Sequence, residues 1–485
     1  MKKTSAFSPT RVSMAVAVVC VGISMPAFAQ MDTKMTGRVH YDARVINSDL
    51  SKITDRDSAT AGDSFELRRA RIGFTGNYNK QIQFEGVANA VGSSTNIIDT
   101  AFVNYGYNKQ GQVRVGRFKQ PFSLEENTSS NNIDFMERSY VNQIIPGKKL
   151  GIMVHGANEA GFTYGASVYQ QDFNELTNQS PIGSQYALRL TGNLAKLAKI
   201  GDESTVVHVG VGAVKGKYEQ TAATSGNTAK DPDTSTRSTI LSFRDENRGL
   251  NNAYRLQIGG DKINSTNQGY GVVGDGVVTI AQNMNGLELA VAQGPFKFQA
   301  EMANSKYDAN ISRCDYDTSS GTCTSLGHAG VNANVKTQYI SVLWNITGEN
   351  FGKSYANGAF GGIKPTSEFM KDYGGVVGNG TGAWQLGYRV SSYNASVTQA
   401  VSATSGVSST LSDGSTGSVA SRFQNSPTAT TQTLALNWIL NSNSRVMFNY
   451  ATTKFGSSVE YLDTDADGST TKREDIFSIR TQFNF

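Results

Sequence analysis

The chain reads as an all-β protein, a transmembrane antiparallel β-barrel of sixteen strands. Three observations predict it. The first is two-residue alternation near the start. Over Lys34–Val45, the residues Met35, Gly37, Val39, Tyr41, Ala43 and Val45 share one face, and Thr36, Arg38, His40, Asp42 and Arg44 share the other. That split suits a strand with lipid on one side and a wet lumen on the other. A soluble sandwich gives the same split with the apolar face turned inward, so this strand alone leaves both open. The second is the end of the chain, where Phe477, Ile479, Thr481, Phe483 and Phe485 alternate with Ser478, Arg480, Gln482 and Asn484. A last strand closing on Phe looks like the signal by which outer-membrane barrels are recognised for assembly. The third is the placing of turns, with short connections on one side and long ones mostly on the other.

Composition agrees. Only 38% of the 485 residues are hydrophobic, too few for a helical membrane protein, while 23 Phe, 20 Tyr and 50 Gly supply interface girdles and bends. The one long apolar run is at the N-terminus. Lys2, Lys3 and Arg11 form a positive region, Val12–Ile23 an apolar one, and Ala27-Phe28-Ala29 a small-x-small cleavage site. Residues 1–29 are therefore expected to be a signal peptide, with the mature barrel starting at Gln30. Its removal takes three basic groups and no acid, lowering the net charge from +4 to +1. Any preference for anions must then come from where the basic residues point.

Seventeen segments look like strands, and a barrel with both ends on one side needs an even number. Dropping Asn251–Asp261 leaves sixteen. The tight connections are then Asn77–Asn79, Asn108–Gly111, Gly294-Pro295 and Asn441–Asn443, all on one side. The long ones are 46–63, 119–147, 216–282, 308–333, 394–427 and 457–472. The connection 347–380, with FGGIKP at Phe360–Pro365, is long on the short side and reads as a plug. The Ser/Thr/Gly tract Ala400–Ser421 is a loop, since a strand resumes at Thr428.

The case against an enzyme rests on missing motifs, since carboxylates or a Ser and His meeting across strands leave no trace in sequence. His40, His155, His208 and His328 are not in a metal-ligand spacing, and neither GxSxG nor a P-loop occurs. No catalytic residue, metal, cofactor or nucleic acid is expected. The cysteines match an exported chain: Cys20 leaves with the signal, and Cys314 and Cys323 enclose eight residues in the predicted loop 308–333. In an oxidising compartment they are expected to form a disulfide.

The chain is organised around Val115–Ser139, VGRFKQPFSLEENTSSNNIDFMERS. A strand breaks at Pro121, which cannot continue a ladder. A long polar loop follows, with apolar anchors at Phe122, Leu124, Ile133, Phe135 and Met136; a loop of that length with such anchors calls for a function. The stretch resembles the constriction loop of the phosphate-selective porin O and P family, through VGRFKQPFSLE, TSS at Thr128–Ser130 and FMERS at Phe135–Ser139. FELRRARIGFTG at Phe65–Gly76, LNWILNSNSRVMFNY at Leu436–Tyr450 and the chain end extend the likeness over nearly the whole chain. It is weakest between Tyr218 and Asn283.

The resemblance implies a passive outer-membrane porin for inorganic phosphate, polyphosphate or other small anions, embedded in outer-membrane lipid as a homotrimer, with residues 119–147 folded inward. By carry-over, Ser129, Ser130 and Arg138 are loop ligands of a narrow anion site. The residues themselves suggest the rest. Alternation puts Arg69 and Arg71 on one face of their strand, with Arg38 and Arg44 inward on the next, strands lying about 4.8 Å apart. These four would form a ladder along one wall, arginine offering a planar fork to phosphate oxygens, and the loop would add Lys119. Arg68 would point outward unless a bulge re-aims it. Two alternatives stay open. The wall arginines pair with acids such as Asp42 and Glu85, or the protein is a general, weakly selective porin or an adhesion-type barrel. Glu125, Glu126, Asp134 and Glu137 depart from a purely anion-selective loop, unless they brace it against the wall.

Overall fold

The computed structural model describes residues 31–48, 63–79, 81–91, 97–170, 183–221, 238–249, 254–258, 277–317, 322–369, 380–402, 428–460 and 470–485, with the backbone alone at the outer ends of several strands. In chain order the strands are β1 (Met31–Ser48), β2 (Ser64–Tyr78), β3 (Ile82–Asn89), β4 (Ile98–Asn108), β5 (Gly111–Lys119), β6 (Lys148–Ala157), β7 (Phe162–Tyr169), β8 (Gly183–Asn193), β9 (Val206–Thr221) and β10 (Ser238–Phe243). Then come β11 (Tyr254–Ile258), β12 (Val277–Gln293), β13 (Phe296–Asp317), β14 (Thr322–Asn345), β15 (Tyr355–Ala356), β16 (Ala359–Phe360), β17 (Ala383–Ser402), β18 (Thr428–Ile439), β19 (Ser444–Glu460) and β20 (Thr470–Asn484). Sixteen of them form one closed antiparallel barrel; β10–β11 and β15–β16 are separate two-stranded sheets. Closure joins β1 to β20, with Val39 facing Phe483. It leaves the ring no free edge, the condition for a sheet to stand in lipid.

The alternation read in the first and last strands is the inside–outside code. Met35, Tyr41, Val45, Phe477 and Phe483 are exposed on the outer face, while His40, Asp42, Arg44, Ser478, Arg480 and Gln482 are buried inside. The excluded segment Asn251–Asp261 contains β11, which is indeed outside the ring. Residues 1–29 lie outside the described residues.

The loop boundaries need correction. The predicted loop 308–333 is mostly strand, because β13 and β14 run to Asp317 and from Thr322, 22 and 24 residues long. A tilted membrane strand needs only about 9–11 residues, so the hairpin continues beyond the apolar band. β1, β9, β17, β19 and β20 likewise reach into predicted loops.

The barrel's core lies inside the ring. Leu124 and Phe135 from the 119–147 loop pack with Phe351 and Phe360 from the 347–380 connection and with the wall residues Val206, Ala290, Ala292, Leu343 and Ala435. The connection read as a plug thus enters the lumen and shares a core with the inward loop. Tyr355 of the plug bonds His208 Nδ1 at 2.7 Å, and Arg189 donates to Gly358 O at 2.8 Å.

Candidate functional site: the inward loop and the wall it leaves uncovered

Loop 120–147 crosses the lumen because its anchors find prepared seats. Phe122, Leu124, Ile133, Phe135 and Met136 are all buried. Phe122 lies over Gly212 and Gly286, where an added Cβ would come within 2.8 and 2.6 Å of its ring. One helical turn, Leu124–Asn127, starts from Ser123, whose Oγ accepts from Glu126 N. The Glu301 carboxylate on β13 accepts from the backbone N–H of Leu124 (2.9 Å) and Glu125 (2.7 Å). It supplies acceptors to donors that a helix start leaves unpaired.

Three of the loop's four acids turn to the wall. Glu125 accepts from Arg389 at 3.1 Å, and Asp134 accepts from Lys297 at 2.7 Å. Glu137 accepts from Arg68 at 2.8 and 3.1 Å and from Arg480 at 2.9 Å. Glu126 pairs with Arg138 of the same loop at 3.4 Å. Carbonyls do the same work: Ile133 O accepts from Arg445 at 2.9 Å, and Met136 O from Arg480. Burial disfavours an ionised carboxylate at Glu137, yet Arg68 and Arg480 outweigh it and hold the group well below the usual carboxylate range. The four acids therefore brace the loop.

A second segment, Phe243–Gly249, reaches the same interior, and nothing in its sequence marked it. Phe243 stacks on Tyr393 with 4.4 Å between ring centres. Asp245 accepts from Thr453, and Glu246 from Arg389. Gln143 and the backbone of Arg244 exchange hydrogen bonds at 3.1 Å in both directions. Burial pushes the Glu246 carboxyl up to about 7, against the pull of Arg389 and Ser391 and with the added push of Glu125 and Asp245.

The basic residues read from the sequence divide into three groups. Arg44 is taken up by Asp42 and Glu66. Lys119 donates to the carbonyls of Glu126 and Thr128, and Arg138 to those of Glu125 (3.1 Å) and Thr128 (2.9 Å). The third group lies on β1 and β2, facing inward. Arg38 faces Arg71 across β1–β2 and donates to Ser130 Oγ at 2.6 Å. Arg71 pairs with Asp99 at 2.9 Å, and Lys148 shares that carboxylate. Arg69 contacts His40 Nδ1 at 3.2 Å, and its Nε is buried without an acceptor. Ser129 Oγ accepts from Asn131 N within a local turn. A bulge between His40 and Tyr41 leaves Arg68 as the extra residue of β2, and that residue reaches inward to Glu137. Both members of the Arg68-Arg69 pair thus serve the lumen.

Sequence reasoning missed Arg389, Arg480, Lys297 and Arg445 as seats of the loop, and Asp99 with Lys148 beside Arg71. Arg480 already stood on the polar face of the last strand; its partner Asp42 is 438 residues away. The side chains of Cys314 and Cys323 lie outside the described ones. Their backbones face Leu326 and Tyr316 across β13–β14.

No curated protein is detectably similar in sequence. Among solved structures, the chain is similar to OmpT, an outer membrane protein of Vibrio cholerae (9% identity, TM-score 0.47, 96% of this chain and 100% of that one covered). It is similar to an anion-selective porin from Comamonas acidovorans (10%, 0.46, 94% and 100%) and to the outer membrane channel DcaP of Acinetobacter baumannii (9%, 0.47, 96% and 99%). The family model for phosphate-selective porin O and P matches residues 33–485, nearly the whole chain, through barrel, inward loop and plug alike. The chain belongs to that family and is a porin of the bacterial outer membrane.

Proposed function

We propose that this porin passes small anions, phosphate and polyphosphate foremost, by passive diffusion along the strip between the inward loop and strands β1–β6. One observation carries the reading. Three of the loop's four acids are held by wall cations, Arg389, Lys297, Arg480 and Arg68, and Glu126 by the loop's own Arg138, while strands β1–β6 keep Arg38 against Ser130, and Arg71 and Lys148 on Asp99. Arg69 and the loop's Ser129 and Arg138 border the strip. Several moderate cationic stations draw an anion in and still release it, as conduction requires. No catalytic step and no energy source enter the scheme. The mature chain, read as starting at Gln30, works in this account as a homotrimer.

The test is the reversal potential of the purified protein in planar bilayers under a salt gradient, with and without added phosphate. Anion preference and block by phosphate are expected, both weakened in Arg69→Ala, Arg71→Ala and Arg138→Ala, and little changed in Arg237→Ala of the β9–β10 connection. A wild-type channel that prefers cations would reduce the arginines to wall solvation. A general porin would then be the better account, and Asp99, which offsets two of the strip's cations, is the residue that favours it.

A further inference from the structure

Arg114 differs from the other lumen arginines. It sits on β5, facing Asn104 of β4 and Met153 of β6. Its guanidinium carbon lies 4.3 Å from the centre of the Phe102 ring and 5.9 Å from that of Phe118. No carboxylate oxygen lies within 4 Å of it among the described residues, and its Nε is buried without an acceptor. The nearest acid in the lumen-facing rows, Glu85, faces Phe102 across β3–β4. The polar neighbours are occupied with one another: Asn104 donates to Gln112 at 2.7 Å, and His155 Nε2 meets Asn104 Oδ1 at 2.7 Å. Gly116 and Gly151 face each other across β5–β6, and Gly116, at φ +128°, has no room for a Cβ, which would lie 2.2 Å from Ala101 O.

An arginine pinned on an aromatic ring has its orientation settled and its terminal nitrogens still to satisfy. Those nitrogens find no acceptor among the described residues and are not buried, so they are free to exchange solvent for a passing oxyanion with two adjacent oxygens. Arg114 is five residues before Lys119, the end of β5 where the inward loop begins. At about 3.3 Å per residue that is roughly 16 Å along the strand, toward the tight turn at 109–110.

We propose that Arg114, held by Phe102, is a separate anion station on the periplasmic side of the constriction. It receives the ion that leaves the Arg38–Arg71 strip and sets how strongly anions entering from the periplasm are held. This rests on the anion-porin reading above.

The experiment is block of chloride current by inorganic phosphate, added to one chamber at a time, with the full-length mature channel inserted in one orientation. In Arg114→Ala the half-blocking concentration from the turn side should rise about three- to fivefold, the size of a solvent-screened charge contact, and from the loop side by less than about twofold. Phe102→Leu should shift it the same way, since the charge remains but its platform is lost. Arg114→Cys should regain wild-type block after coupling to a cationic thiol reagent. If Arg114→Ala fails to insert, Arg114→Gln is read by the same criteria. An anion-preferring wild type whose block is unchanged by Arg114→Ala overturns the station and spares the porin reading. Equal shifts from both sides also overturn it, because Arg114 would then belong to the constriction. A cation-preferring wild type defeats the porin reading itself.

Discussion

Glu137 offers the sharpest test of how the inward loop is held. Its carboxylate meets Arg68 at 2.8 and 3.1 Å and Arg480 at 2.9 Å, with Arg44 at 3.6 Å. Glu137→Gln keeps the size and one acceptor but removes the charge. Arg480 and Arg44 still have Asp42, so the loss falls on Arg68, which has no other carboxylate within 4 Å among the described residues. Breaking one side of a buried pair costs about 3–5 kcal/mol. Arg68 keeps 18% side-chain exposure and Gln keeps one bond, so ~2–3 kcal/mol is expected here. The strands stay paired, and the deficit should appear as a loosened loop: noisier single-channel current, a lower urea midpoint for loop release, and unchanged sign of ion selectivity. Arg68→Met together with Glu137→Gln should recover part of the loss, since no charge is then stranded. A Glu137→Gln channel as quiet and as urea-resistant as wild type would refute the bracing argument, and a reversal of selectivity would show that the acid faces the ion path. The brace should also tolerate acid. The folded-state carboxyl is held well below its ordinary value, so its stabilisation is complete above about pH 4.5 and fades only as pH falls through that depressed value.

Glu246 runs the other way. Its carboxyl is raised to about 7, so its contribution is full at low pH and is lost as pH rises through 7; the Phe243–Gly249 segment should resist protease better at pH 6 than at pH 8, and Glu246→Gln should abolish the difference. Phe360→Ala removes a ring from the core shared by plug and loop, a change typically costing ~3–5 kcal/mol, and should raise conductance by freeing the plug; unchanged conductance and melting would contradict the shared core. Gly116→Ala should sharply lower the yield of folded barrel on refolding in detergent, because its Cβ would lie 2.2 Å from Ala101 O; near-normal yield would show that β4 and β5 can separate. Cys314 and Cys323 are expected to pair and so to resist alkylation without reductant; quantitative labelling would show two free thiols instead.

The sequence was most legible where one face meets lipid. Alternation at Met35–Val45 and Phe477–Phe485 needs only local chemistry, and closure of sixteen strands follows from counting turns. The plug was visible because FGGIKP interrupts a connection that should be short. The bulge that turns Arg68 inward was not, since a one-residue shift leaves no trace in composition. The seats of the loop were hidden for a different reason: Glu125 meets Arg389 264 residues on, and Ile133 meets Arg445 312 residues on. Pairings of that range come from ring closure. The Phe243–Gly249 segment is seven mixed residues within a long connection, and its role appears only once Tyr393, Arg389 and Thr453 are brought beneath it.

The shared core of loop and plug makes the two halves of the ring answer to different pressures. Behind the β12–β18 staves the interior is solid, and a changed side chain there disturbs folding first. Along β2–β6, where the proposed ion path runs, a changed side chain should alter which solute crosses and how fast. A lineage of such channels can therefore retune its diet by drift along one arc while the opposite arc holds the scaffold steady. Random mutagenesis scored separately for assembly and for permeation should sort into those two arcs.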